Sequence, residues 1–334
     1  MTTLLNIRAL YVNISLSAGM LHAVRDVSFH VERGETLCLV GESGCGKSLT
    51  ALAVMDILPS RSVRWAEQIT LEGQDLQNLK DRHMSDLRGS RMAMIFQEPM
   101  TSLNPCYTIG NQLEETLRRH RSASRREARD RAVFLLEKVG ITAAGTRLKQ
   151  YPHQLSGGLR QRVMIAMSLM CGPALIIADE PTTALDVTIQ AQILSLLSSL
   201  QKEFGMGMIF ITHDLGIVAR IATRVAVMYC GMVVETGVVG EIFHSPLHPY
   251  TQGLLACLPV PGKTRPGEHL GSIPGMVPTP IGDFSGCMFR NRCSHAMEEC
   301  CHESIELYRV SVERAYRCLL SKETCLANHM TQKD

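Results

Sequence analysis

The eight residues Gly41-Glu42-Ser43-Gly44-Cys45-Gly46-Lys47-Ser48 constrain this chain more than any other stretch. They satisfy G-x-x-x-x-G-K-[ST] at every fixed position. An apolar strand candidate, Leu37–Val40, leads in, and a helix candidate, Leu49–Leu58, leads out. Glycines let backbone N–H groups converge on phosphate oxygens, and the helix N-terminus adds a favourable dipole. The pattern predicts that Lys47 reaches the β- and γ-phosphates of a nucleotide and that Ser48 ligates Mg²⁺. Gly41, Ser43, Gly44, Cys45, Gly46, Lys47, Ser48 and Leu49 form the candidate nucleotide-binding set. A glycine-rich turn that binds nothing would have no need of strand, lysine, serine and helix together.

A second acidic element fits the same chemistry. Leu175-Ile176-Ile177-Ala178-Asp179-Glu180 is an apolar strand ending in two acids. A buried parallel strand delivers its C-terminal end to the ligand edge of a sheet. Asp179 is expected to hold Mg²⁺ and Glu180 to polarise the attacking water as general base. Read alone, the pair is equally an acidic helix cap.

Short buried strand candidates alternate with helical stretches along much of the chain. They are Leu4–Tyr11, Ala23–Val31, Thr36–Val40, Leu175–Ala178, Met208–Thr212 and Val225–Tyr229. This alternation predicts a mainly parallel α/β sheet. Residues from about 98 to 165 are rich in Arg and Glu, with Gln112–Arg121 and Arg125–Val139 the clearest helices. The 334 residues suit two or three domains rather than one. At 45% apolar and 20% charged, with a net charge of +2, the composition is that of an ordinary globular protein and gives no field that would select nucleic acid. Val163–Ala178 is too short for a membrane span of ~20 residues and is split by Gly172-Pro173, so it reads as helix, turn and strand. The start lacks a charged segment followed by an apolar block, so no export signal is expected. Residues 245–283 hold eight prolines and read as extended.

Leu155-Ser156-Gly157-Gly158-Leu159-Arg160-Gln161-Arg162 resembles the LSGGQ-type signature of ABC ATPases. Its physical sense is a second helix N-terminus offering an anion cradle. In that family the cradle faces the γ-phosphate held by a partner subunit, so the resemblance implies two ATP molecules sandwiched in a head-to-tail dimer, with Ser156, Gly157 and Gly158 acting in trans. Gln97 then resembles the Q-loop glutamine that contacts Mg²⁺ or water, Ala184-Leu185-Asp186 the D-loop, and His213 the switch histidine on the γ-phosphate. Glu180, His213 and Gln97 are the implied catalytic set. The position of the family's adenine-stacking aromatic is Ile14, with Tyr11 three residues earlier.

The segments 96–105 (FQEPMTSLNP), 151–163 (YPHQLSGGLRQRV) and 245–259 (SPLHPYTQGLLACLP) resemble the oligopeptide/dipeptide branch of ABC importers. The resemblance implies an α/β P-loop ATPase with a RecA-like core, an antiparallel β part and an inserted helical subdomain at about 98–165. Residues 1–250 would form the nucleotide-binding domain and 251–334 a small Cys-rich C-terminal extension. It implies ATP and Mg²⁺ as ligands, a second homologous ATPase, two transmembrane permease subunits and a periplasmic or extracellular substrate-binding protein as partners, and a peripheral place on the cytoplasmic face of the membrane. Nickel or glutathione import is the alternative cargo. A soluble ABC ATPase acting on DNA or ribosomes is the alternative class, although neither long coiled coils nor tandem cassettes are present.

Twelve cysteines include six in the last 48 residues, from Cys287 onward. Cys287, Cys293, Cys300 and Cys318 are separated by five, six and seventeen residues, with Cys301 and Cys325 spare. Four thiolates suit zinc or iron–sulfur, zinc ribbons prefer tighter spacing, and inert buried thiols remain open. The phrase Gly286–Cys293 resembles the tail of dipeptide and oligopeptide ATPases, which implies a [4Fe–4S] cluster on those four cysteines. Arg290, Arg292, Arg314 and Arg317 are expected to offset its charge. Because the tail follows the nucleotide motifs in sequence, it is expected to leave nucleotide binding largely untouched. The dense run Arg118, Arg119, Arg121, Arg125, Arg126, Arg129 and Arg131 reads as a solvated helix face, or as a contact with lipid head groups or a membrane subunit. With only Phe134 nearby, it lacks the stacking aromatics of a nucleic-acid site.

Overall fold

A computed structural model describes residues 3–98, 102–183, 185–258, 271–282, 284–302 and 304–331. Residues 99–101 of the 96–105 segment, Ala184 of the D-loop stretch and Pro259 lie outside them. Along the chain run strands β1 (Thr3–Leu16), β2 (Gly19–Glu32), β3 (Thr36–Val40), β4 (Ser62–Trp65), β5 (Gln68–Leu71), β6 (Gln74–Asp75), β7 (Met92–Ile95), β8 (Leu175–Asp179), β9 (Gly207–Thr212), β10 (Arg224–Tyr229), β11 (Met232–Val238), β12 (Tyr308–Arg309) and β13 (Ala315–Tyr316). The chain divides into two compact units. Among the described residues no helix is long and apolar enough to cross a membrane.

One unit comprises residues 1–5, 31–35 and 70–211. Its sheet places β7, β8 and β9 in parallel, with Met92 opposite Leu175 and Asp179 opposite Ile211. Every residue of β8 is buried, which is why an uninterrupted apolar run, not an alternating one, encodes it. The helical insert is present. Helix Ile109–Arg121 starts on the Thr108 hydroxyl, which accepts from Asn111 N at 3.2 Å. Helix Arg125–Lys138 starts on a capping box in which Ser124 and Glu127 serve each other's backbone N–H. Its buried Leu135 and Leu136 pack in the same layer as helix Gly157–Ser168. Val163–Ala178 is helix, turn and strand as the Gly-Pro break requires.

Arg118, Arg119, Arg121, Arg125, Arg126 and Arg129 are exposed and Arg131 is half-buried, as a solvated helix face requires, but two of the run also hold carbonyls. Arg121 donates to Cys171 O at 2.9 Å, and Arg131 to Met170 O and Leu169 O at 3.4 and 3.3 Å. Both guanidiniums thus cap carbonyls that follow helix Gly157–Ser168, a long-range role that local charge density does not encode.

The other unit comprises residues 6–30, 36–69 and 212–334. Here β3 and β10 run parallel, Leu37 opposite Arg224 and Val40 opposite Val227, while β11 joins β10 antiparallel and β13 joins β11. Strand β4 is antiparallel to β1, with Tyr11 opposite Trp65 and Ile14 opposite Ser62. The Tyr11 and Trp65 rings lie 5.3 Å apart, so Tyr11 is engaged across the ladder. The helix after the loop spans Lys47–Met55 rather than Leu49–Leu58. It starts earlier because Gly46 takes a positive φ that turns the chain straight into it, and it ends at Asp56, φ 54°, ahead of Pro59.

Candidate active site

The loop between β3 and helix Lys47–Met55 owes its shape to glycines. Gly41 (φ 151°), Gly44 (φ 78°) and Gly46 (φ 100°) all lie in backbone regions that side chains disfavour. At two of them space is also missing: a Cβ on Gly41 would meet Met228 O at 2.2 Å, and one on Gly46 would meet Ala23 O at 2.6 Å. The loop is pinned from below by Gly231 N donating to Cys45 O at 2.9 Å. Ser43 and Gly44 are exposed at its crest, and Lys47 is buried beneath. The Lys47 ammonium donates to Gly41 O at 2.7 Å and Glu42 O at 3.0 Å, so its charge is stored inside the loop's own curve. Ser48 and Leu49, in the first helical turn, are half-buried. The Cys45 thiol is buried and pushed up by desolvation, which leaves it a neutral packing group. A glycine-rich turn at a helix N-terminus with one lysine beneath it is the kind of loop that suits an anion.

In the same unit, His213 follows β9 directly and is exposed. Asp214 behind it caps helix Leu215–Ile221 by accepting from Gly216 N at 2.7 Å.

The other unit carries the acids. Asp179 closes β8 and is buried. Glu180 follows at φ 43°, a strained value for a non-glycine residue. Its backbone N donates to Ile211 O at 3.1 Å, and its carboxylate accepts from Gln97 Nε2 at 3.2 Å and Thr183 Oγ1 at 2.9 Å. The sequence-derived pair Gln97 and Glu180 is therefore in direct contact across 83 positions. Ser156 caps helix Gly157–Ser168 by accepting from Leu159 N at 3.4 Å, and Ser156 and Gly157 are exposed at that N-terminus. Asp186 caps helix Val187–Phe204, accepting from Ile189 N at 2.9 Å. It thus has a structural duty that the sequence reading did not assign.

The C-terminal segment reaches the loop, a contact that its place in the sequence does not announce. Arg292 Nη1 and Nη2 donate to the two carboxylate oxygens of Glu42 at 2.7 and 3.0 Å, across 250 positions. Tyr250 Oη accepts from Glu42 N at 2.9 Å. Tyr229, Tyr250 and Phe289 pack as a trio, with ring centroids 4.7–5.4 Å apart. Glu42, Tyr250 and Arg292 were missed because Glu42 occupies a free position of the loop motif and its partners lie far along the chain. Tyr250 lies within the 245–259 segment that carries the family resemblance, and Arg292 was expected to serve the cysteines instead.

Cys287, Cys293, Cys300 and Cys318 line one small cavity with Phe289, Arg290 and Leu320. Among the described residues no group of three or more His, Cys, Asp or Glu is arranged to hold a metal ion. Burial, reinforced by the other three thiols, pushes Cys287 up to about 11. Cys325, expected to be spare, hydrogen-bonds Cys318 and draws its thiol down. The expected charge compensation by arginines is corrected: Arg292 pairs with Glu42, Arg314 with Glu235 and Arg317 with Asp26, each at 2.7–2.8 Å. Of the four, Arg290 alone lines the cavity. Carboxylates outcompete neutral thiols for a guanidinium because they carry a full charge, and Glu42 in addition accepts both prongs of the Arg292 fork.

Known proteins match this arrangement. Residues 24–183 match the ABC transporter family model, and residues 234–300 match the oligopeptide/dipeptide transporter C-terminal region. A Brucella melitensis protein named for ATP binding in peptide import is 52% identical, covering 96% of this chain and 98% of the relative. The dipeptide transport ATP-binding protein DppD of Escherichia coli is 47% identical, covering 94% and 96%. A solved dimeric ATP-binding cassette in a post-hydrolysis state, bound to ADP and Pi, superposes with a TM-score of 0.62 at 26% identity, covering 70% of this chain and 98% of that one. With both family regions matched and relatives near half identity over almost the whole length, the chain belongs to the ATP-binding proteins of the ABC transporter family, in the branch that carries the oligopeptide/dipeptide C-terminal region.

Proposed function

We propose that this chain hydrolyses ATP to power an importer of di- or oligopeptides, working from the cytoplasmic face of the membrane. The observation that carries the cargo class is the match of residues 234–300 to the oligopeptide/dipeptide region in a chain whose relatives are named for peptide, oligopeptide and dipeptide transport. Residues 1–250 form the nucleotide-binding domain in this reading and 251–334 the extension. Two permease subunits, a substrate-binding protein and a second homologous ATPase complete the assembly. The test is reconstitution with those partners. Peptide-loaded binding protein is expected to raise phosphate release several-fold over the unloaded protein, whereas stimulation by a nickel- or glutathione-loaded binding protein instead would move the cargo.

The loop N–H groups from Gly41 to Ser48 bind the α- and β-phosphates, and Lys47 turns from its loop carbonyls to the β- and γ-phosphates. Ser48, Asp179 and Gln97 would supply the oxygen donors for a Mg²⁺ ion, a hard cation that would offset phosphate charge. Glu180 accepts the proton of the attacking water, and His213 contacts the γ-phosphate. Ser156, Gly157 and Gly158 serve the nucleotide of the partner subunit, with Asp186 beside them. What supports the trans role is the exposed, ready-made N-terminus at Ser156. Ser156→Arg in one subunit is expected to silence the site whose phosphate loop belongs to its partner. In mixed dimers with Lys47→Ala, activity that ignores the partner's mutation would show each chain to be self-sufficient.

We further propose that Cys287, Cys293, Cys300 and Cys318 hold a [4Fe–4S] cluster. The support is their common cavity, in which burial and the neighbouring thiols push Cys287 and Cys293 up, a cost that ligation to iron would relieve. The cluster would supply cross-linking of the extension rather than chemistry on ATP. Anaerobically purified protein is expected to be brown, with a broad band near ~400 nm and about four irons per chain. Cys293→Ser is expected to remove the colour. Stoichiometric zinc without iron, or no metal at all, would sink the cluster.

A further inference from the structure

The bidentate pair between Arg292 and Glu42 has no part in the chemistry above, yet it reaches into the phosphate loop. The Arg292 side chain is 4% exposed and the Glu42 side chain 31%. Arg292 is fixed on every donor: Nε donates to Pro274 O at 2.9 Å, Nη2 also to Ile273 O at 3.2 Å, and its guanidinium carbon lies 5.8 Å from the centre of the Tyr229 ring. Glu42 is held as firmly, its N–H by Tyr250 and its carbonyl by Lys47. A carboxylate beside a cradle for a polyanion opposes binding unless its charge is cancelled.

The geometry points to Arg292 as a positioning residue for nucleotide binding: it neutralises the Glu42 carboxylate and holds it off the phosphate cradle. The inference rests on the phosphate-loop reading, and it gives the C-terminal region a direct hand in the affinity of the site for ATP and ADP. Arg292 does not touch the phosphates in this scheme. It acts through Glu42, and removing it exposes the phosphates to a negative charge that the loop motif itself does not require.

The experiment compares Mg-ADP binding to the full chain by titration calorimetry, with thermal melts as a check on folding. Arg292→Ala is expected to weaken binding about tenfold, the scale of one uncompensated charge near the site. The loss is expected to shrink severalfold at about 0.5 M salt, where the Debye length is a few ångströms. Adding Glu42→Gln to Arg292→Ala is expected to restore affinity to within about threefold of wild type, because the offending charge is gone. A role confined to fastening the extension predicts the opposite, a double variant as weak as R292A, and that result would overturn the inference. R292K, which keeps the charge and loses the fork, is expected to bind within about threefold of wild type and serves if R292A does not fold. A larger loss in folded R292K would also overturn it. Wild-type chain that binds no Mg-ADP would instead strike at the phosphate-loop reading, so the two failures are told apart.

Discussion

Glu180→Gln is expected to keep ATP binding and lower steady-state turnover by about 10²-fold or more, the contribution of a positioned general base. The side chain keeps its length, so the contact with Gln97 at 3.2 Å and with Thr183 at 2.9 Å can be re-made with an amide. What disappears is the capacity to accept a proton from water. The backbone at φ 43° is already strained in the wild type and the substitution does not change it. The measurement is phosphate release by the reconstituted complex beside nucleotide affinity by calorimetry. Turnover within a few-fold of wild type would remove Glu180 from the base role. Lost affinity with unchanged turnover per bound nucleotide would make it a binding residue instead.

Glu235→Ala is expected to cost about 3–5 kcal/mol of stability, the usual consequence of leaving one member of a buried ion pair alone. Glu235 is fully buried, and its carboxylate accepts from Leu247 N at 2.8 Å, His248 N at 2.9 Å and Arg314 Nη2 at 2.7 Å. Those bonds order the turn ahead of helix Pro249–Ala256. There His248 Nδ1 accepts from Tyr250 N at 3.0 Å, with burial pushing the imidazole down to about 3, so it stays neutral. Losing Glu235 strands two backbone donors at once and leaves the Arg314 charge to the Ser245 carbonyl and the more distant Glu241 carboxylate, 3.9 Å away. Thermal melts and hydrogen exchange at residues 247–252 report the effect. Glu235→Ala combined with Arg314→Ala is expected to recover part of the loss, since the charge left behind is removed with its partner. A cost below about 1 kcal/mol for the single substitution would mean that water replaces the carboxylate and that the pair is not a buried one.

Much of the nucleotide machinery was legible because its chemistry is local. The phosphate loop needs glycines at fixed steps between one strand and one helix, and Gly41, Gly44 and Gly46 sit where only glycine avoids strain or collision. The acids ride at the end of a continuous apolar strand, and the signature serine is the cap of its own helix, each a pattern that a few neighbouring residues dictate. Strand β7 and the small strands β4 to β6 were not legible, since runs of two to four residues carry too little periodicity to stand out.

What the sequence determined by itself is the phosphate-loop motif between its strand and its helix and the alternation of buried strands with helices. Only the tertiary structure decided which side chains answer one another over long separations. It gave Arg292 to Glu42, Arg314 to Glu235 and Arg317 to Asp26, and left Arg290 alone of the four at the cysteine cavity. The physical reason is that a guanidinium carries no local signal of its partner. Its choice is set by which carboxylate the fold buries within reach, because the cost of desolvating a charge is met only by a partner at hydrogen-bond distance.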